Sequence, residues 1–87
     1  MASNFSRPAM SLKEFMLRKQ VLQLYRDILR AIKEIPSPED RKYMKDWAKS
    51  DFLANKHHTD EMTIKMMIKH GERSLKELRQ SLEMSRG

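Results

Sequence analysis

The chain has 87 residues, 39% of them hydrophobic and 34% charged, with a formal net charge of +6 and no cysteine. This excludes disulfides, thiolate chemistry and cysteine-ligated zinc or iron–sulfur centres, is too apolar for a disordered tail, and leaves no run near the ~20 apolar residues of a membrane span. One small domain with a limited core fits the length, and the positive balance favours an acidic partner: nucleic acid, an anionic lipid surface or an acidic protein.

Residues 1–10 read as a flexible N-terminal segment ahead of a domain over residues 11–85. The opening MASNFSRPAMS is faintly like a transit peptide but lacks Arg-rich amphipathic character, and Asn4-Phe5-Ser6 matches the glycosylation sequon by chance. With only two Gly and three Pro in the chain, long helices are allowed.

The first helix starts at the capping box Ser11-Leu12-Lys13-Glu14 and runs to Ile35, where Pro36-Ser37-Pro38 breaks it. Leu17, Val21, Leu24, Ile28, Ile32 and Ile35 share a narrow arc and form its core stripe. Lys19, Arg26, Arg30 and Lys33 gather on the opposite side, and Leu22, Tyr25 and Leu29 lie between stripe and ridge. Tyr25 reads as a core-edge aromatic with its hydroxyl in water.

Ser37 caps the second helix, with Pro38 at its first position and Glu39 and Asp40 in the first turn, and the helix reaches about Lys56. Its inner face is Tyr43, Met44, Trp47, Ala48 and Ala54, with Trp47 in the core, while Lys42, Lys45, Lys49 and Lys56 line another face. Phe52 lies between the two, and Leu53 on the basic side. Thr59 caps a third helix that continues to about Met84, with Ile64, Met67, Ile68, Leu75, Leu78 and Leu82 on its apolar face. Gly71 falls in the middle of that face. A glycine there costs about 1 kcal/mol relative to Ala, so it is either incidental or makes space inside the bundle. The short connections predict an all-α, antiparallel three-helix bundle.

No catalytic constellation stands out, so the chain reads as non-enzymatic. His57 and His58 are adjacent at a helix end and His70 is isolated; His57 could approach Glu61, but that pair lacks the ligands of a metal site. No glycine-rich phosphate loop is possible with Gly71 and Gly87 alone. Met62, Met66 and Met67 read as core filling and surface accident before an adaptable groove. Cations bordering apolar side chains suit a docking surface, where charge steers a partner and buried apolar groups supply affinity.

Leu24-Tyr25-Arg26 in the first helix, with Phe52 late in the second, resembles the LYR motif family of small mitochondrial proteins. The likeness extends to QVLQLYRDILRAIKEIP, DRKYMKDWAKSDF, NK, TIKMMI and LKEL, covering about residues 12–82. It implies a three-helix bundle of the mitochondrial matrix that binds the mitochondrial acyl carrier protein in its acylated form. In such a complex the carrier's acidic helices meet basic residues, and the acyl chain on its 4′-phosphopantetheine arm enters the bundle core. Tyr25 and Arg26 then belong to the motif and Phe52 is the aromatic near the docking surface. Arg30, Lys33, Lys42, Lys45 and Lys49 join them from the charge ridges. Leu24, Ile28, Trp47, Met67, Ile68 and Gly71 are expected to line the acyl tunnel. The protein needs no cofactor beyond the acyl-4′-phosphopantetheine that the carrier presents.

Family members serve as subunits or assembly factors of respiratory complexes and in iron–sulfur biogenesis, and the resemblance points to respiratory complex I subunits or assembly intermediates as clients. Nothing in the residues names the client. A basic nucleic-acid-binding module and an interfacial membrane helix are the rival readings of the same charge. The resemblance argues for neither nucleic acid nor a membrane span.

Overall fold

The computed structural model describes residues 11–86, so the expectations for residues 1–10 lie outside the described residues. Three helices follow in chain order: α1 (Leu12–Ile32), α2 (Pro38–Asn55) and α3 (Glu61–Arg86). The fold is all-α, as expected.

Local chemistry sets the helix ends. At the start of α1 the Glu14 N–H donates to the Ser11 hydroxyl at 3.1 Å and the Ser11 N–H donates to Glu14 Oε1 at 2.9 Å, which completes the capping box. The helix stops at Ile32, short of the expected Ile35. The N–H groups of Glu34 and Ile35 turn back to the carbonyls of Ala31 and Ile32 at 3.0 Å, a tightened final turn, because a residue that precedes proline avoids the helical region. Arg41 of α2 donates to the freed carbonyls of Ile35 (2.8 Å) and Pro36 (3.3 Å). Ser37 caps α2 by accepting from the Asp40 N–H at 3.3 Å. For α3 the cap is Asp60 and not Thr59. The Asp60 carboxylate accepts both the N–H and the hydroxyl of Thr63 at 2.9 Å, and those bonds hold its pKa below the ordinary carboxylate value.

α1 is the central element. It packs against both other helices, whereas no Cα of α2 lies within 8 Å of a Cα of α3. α2 runs antiparallel to α1, and α3 returns parallel to it. Two ion pairs join α1 and α3 at opposite ends, Lys13 to Glu61 at 3.2 Å and Glu34 to Arg86. Glu61, which also meets Lys65 at 2.9 Å, is therefore engaged by lysines and not by His57.

The α1 stripe is buried at Leu17, Leu24, Ile28, Ile32 and Ile35, joined by Ala31, while Val21 is half-buried. Ala48 of α2 and Leu75 and Leu82 of α3 close on it. The expected inner face of α2 was too wide. Ala48 is 1% exposed, but Tyr43 is 72% exposed, Trp47 is 36% exposed and Ala54 is open to solvent. With α3 out of reach, α2 can bury only the narrow strip that faces α1.

Candidate functional site

The separation of α2 from α3 leaves a cleft with α1 as its floor. Its first chamber, of about 400 Å³, is bounded by Leu24, Ile28, Trp47, Met67, Ile68 and Gly71, all six of the residues expected around an acyl chain. Val21, Met66 and Ser74 complete its sides, and Asp51, Asn55, Thr63 and His70 supply polar edges. A second chamber of about 700 Å³ shares Ile28, Trp47 and Ser74 with the first and continues past Tyr43, Met44 and Leu78 to Ile35 and Leu82. Along α1 the floor runs from Val21 to Ile35, about 20 Å at ~1.5 Å per residue. Both volumes fall within the roughly 300–1,000 Å³ of small-molecule sites.

Gly71 supports this cleft in a way the sequence did not indicate. A Cβ built there would meet Leu24 Cδ2 at 2.5 Å and Cγ at 3.3 Å. The space at Gly71 is thus already filled by a leucine methyl, and the glycine sets how closely α1 and α3 approach at the cleft wall.

On the other side of the α1–α2 pair the basic residues converge. A concavity of about 560 Å³ is lined by Arg26, Arg30, Lys33, Arg41, Lys42 and Lys45, with Leu29, Ile32 and Pro38 between them. Next to it, a groove of about 290 Å³ is formed by Leu22, Tyr25, Arg26, Leu29, Lys45, Ala48, Lys49 and Phe52. The two share Arg26, Leu29 and Lys45. All eight residues expected for carrier docking therefore line one contiguous surface. Local acids temper two of them: Lys42 pairs with Asp46 at 3.0 Å, and Arg30 lies 3.9 Å from Asp27.

Tyr25 belongs to both the outer groove and the inner cleft. Its hydroxyl is not in water; it donates to Asp51 Oδ2. The ring meets Phe52 edge to face, with centroids 4.8 Å apart and planes at 76°, a favoured aromatic geometry. Burial of the phenol, then the hydrogen bond to Asp51 and the nearby carboxylate charge, push the Tyr25 pKa well above its ordinary value. Asn55 holds Asp51 from below, donating to its carbonyl at 2.8 Å and to Oδ1 at 3.4 Å.

Asp51, Asn55 and Arg41 are the site residues that sequence reasoning missed. Arg41 was legible, since it precedes Lys45 by one helical turn on the same face of α2. Asp51 was not, because its partner is on another helix. Among the described residues no group of three or more His, Cys, Asp or Glu is placed to hold a metal, and no helix is long and apolar enough to cross a membrane.

Comparison with known proteins agrees with the early resemblance. A Rattus norvegicus protein named LYR motif-containing protein 2 is 53% identical over 85 residues, covering 98% of this chain and 97% of its own. The Homo sapiens protein of that name is 47% identical over 85 residues, with the same 98% and 97% coverage. The Xenopus laevis one is 45% identical over 86 residues, with 99% of each chain covered. No solved structure matches the chain significantly. The family described as Complex 1 protein (LYR family) matches residues 19–77, a span holding Leu24-Tyr25-Arg26, Phe52 and most of both cleft walls, and the chain belongs to that family.

Proposed function

We propose that the protein is a non-enzymatic adaptor of the mitochondrial matrix that binds acylated acyl carrier protein and in that state supports assembly of a respiratory complex, with complex I as the client. One observation carries the reading. The cleft gathers Leu24, Ile28, Trp47, Met67, Ile68 and Gly71 around a single apolar chamber, while the basic residues line the opposite side of the same helix pair. The family's description, with its reference to complex 1, supports the choice of client.

The division of labour follows from magnitudes. Exposed ion pairs are worth about 0–1 kcal/mol each and are screened by salt, so the basic surface orients the carrier and speeds its approach. An acyl chain of ten carbons offers up to about 8 kcal/mol at ~0.8 kcal/mol per buried CH₂, and roughly half of that in a cleft open along one side. At about 1.25 Å advance per carbon, from a ~1.5 Å bond, the cleft floor exceeds the length of such a chain. The acyl group therefore supplies affinity.

Trp47 is the only tryptophan of the chain and stands at the junction of the two chambers, 36% exposed. Titration with a tryptophan-free carrier bearing a decanoyl arm is expected to shift its emission to shorter wavelength, with tighter binding than the same carrier lacking the arm. Equal affinities and an unchanged spectrum would remove the acyl chain from the cleft.

A further inference from the structure

We propose that the outer face of α3 is a peripheral attachment site for an anionic lipid surface, formed by Met62, Met66, Lys69, Arg73, Lys76 and Gln80. At ~100° per residue these six fall within an arc of about 80°, on the side of α3 opposite the buried Ile64, Leu75 and Leu82. All six are exposed, Met62 at 71% and Met66 at 67%. No acid falls within the arc, since Glu72 and Glu83 lie to one side of it and Glu77 to the other. Lys69, Arg73 and Lys76 have no ion pair among the described residues.

Shape selects the occupant. Lys69, Arg73, Lys76 and Gln80 line none of the concavities described above, so the strip is a convex row over about 27 Å of helix at ~1.5 Å per residue. A protein partner needs a packed apolar centre with charge at its rim, and a convex row offers none. A headgroup layer needs no such fit. Phosphates spread over a plane meet the cations wherever they point, and two methionine side chains can enter the boundary between headgroups and acyl chains. Nucleic acid shares the phosphates but would leave Met62 and Met66 in water.

No helix among the described residues is long and apolar enough to cross a membrane, so the contact lies on the surface and weakens with salt. The strip points away from α1, and a carrier seated on α1 and α2 would leave it free. The inference does not rest on the function proposed above.

The test floats the full chain in ~0.1 M salt with vesicles of phosphatidylcholine alone or with about one-third phosphatidylserine. Binding is expected only to the anionic vesicles. Each cation is worth about fivefold, equivalent to ~1 kcal/mol, so Lys69→Gln, Arg73→Gln and Lys76→Gln together should weaken it about a hundredfold. Lys42→Gln, Lys45→Gln and Lys49→Gln together remove the same charge from α2 and should keep vesicle binding within about twofold. Because the chain has no cysteine, a polarity-sensitive dye on Gln80→Cys reports one position; its emission should move to shorter wavelength on anionic vesicles, whereas the dye on Ser50→Cys of α2 should not respond. Carrier binding by the α3 triple variant should stay at the wild-type level, so failure of either reading shows separately. Equal binding to both vesicle types, wild-type partitioning of the α3 triple variant, or an equal loss from the α2 triple variant, which would make net charge the cause, refutes the lipid site. Duplex DNA bound more tightly than the vesicles, with Met62→Gln and Met66→Gln affecting neither, refutes it as well.

Discussion

Replacing Gly71 by alanine ordinarily strengthens a helix interior by about 1 kcal/mol. Here the geometry opposes that gain. The new Cβ would lie 2.5 Å from Leu24 Cδ2 and 3.3 Å from Cγ, so the leucine must leave its position or the helices must part. Leu24 is only 8% exposed, and overpacking a filled site costs about 1–3 kcal/mol. The net expectation is a loss of about 1 kcal/mol, or a Tm lower by roughly 4–8 °C for a domain of this size. The clash is specific to one side chain, which makes it separable. In a Leu24→Ala background the same Gly71→Ala change should stabilise by about 1 kcal/mol, because the obstructing methyls are gone and the helix preference remains. Urea unfolding followed by circular dichroism on the four proteins of this cycle measures both numbers. Equal effects of Gly71→Ala in the two backgrounds would show that Leu24 does not determine the glycine. Because Leu24 also walls the first chamber, its displacement should narrow the cleft, and on the proposed reading Gly71→Ala should bind a decanoyl-bearing carrier less tightly than the loss of stability alone explains.

Tyr25→Phe removes the hydroxyl bonded to Asp51 but keeps the ring against Phe52, and should cost about 1 kcal/mol by thermal melting. Because the folded state raises the phenol pKa, its contribution is complete below the unfolded value near 10 and declines as pH rises beyond it; the phenylalanine variant should lack that share of the alkaline loss. Asp60→Ala should increase amide exchange in the first turn of α3, and since the folded state lowers the Asp60 pKa, the wild-type advantage should shrink as pH falls below about 4. Arg26→Glu, at an exposed position without an ion pair among the described residues, should leave Tm nearly unchanged yet weaken carrier binding, a loss that raised salt partly hides in calorimetric titrations.

What could be read from the sequence was what depends on neighbours along the chain. Ser11 and Glu14, Ser37 and Pro38, and the seven- and four-residue spacing of Leu17, Leu24 and Ile28 determine helix starts and the α1 stripe without knowledge of any other element. The ridges of Arg26, Arg30, Lys33, Lys42, Lys45 and Lys49 were legible for the same reason. What failed required the distance between helices. Trp47 and Tyr43 lie on the apolar arc of α2, but whether that arc is core or cleft wall depends on how far away α3 stands. The Tyr25 hydroxyl finds Asp51 across the α1–α2 contact, 26 residues on in sequence, where no periodicity links them. Thr59 and Asp60 both suit a cap, and the choice fell to Asp60 because Thr63 donates two bonds to its carboxylate.

The open cleft has an energetic logic of its own. A chain of 87 residues buries a smaller share of its surface than a larger domain does, and closing α2 onto α3 would be the obvious way to hide Trp47, Tyr43 and Met66. Two features hold the helices in this arrangement instead. Leu75 and Leu82 pack on the α1 stripe, Gly71 lets Leu24 pack at the middle, and the exposed Lys13–Glu61 and Glu34–Arg86 pairs add only register at the two ends, so α3 is held to α1 rather than drawn toward α2. On the α2 side, Ala48 against α1 and the Tyr25–Asp51–Asn55 chain hold the second wall in place. The apolar faces left apart thus lie between two independently anchored walls, and a guest chain can fill the gap without first prising the helices open. Any molecule that binds this form and not the unfolded chain stabilises it by about 2.7 kcal/mol at a hundred times its Kd. On the proposed reading the missing α2–α3 contact is where the guest lies, and the gap is maintained by the contacts that α1 makes with each wall separately.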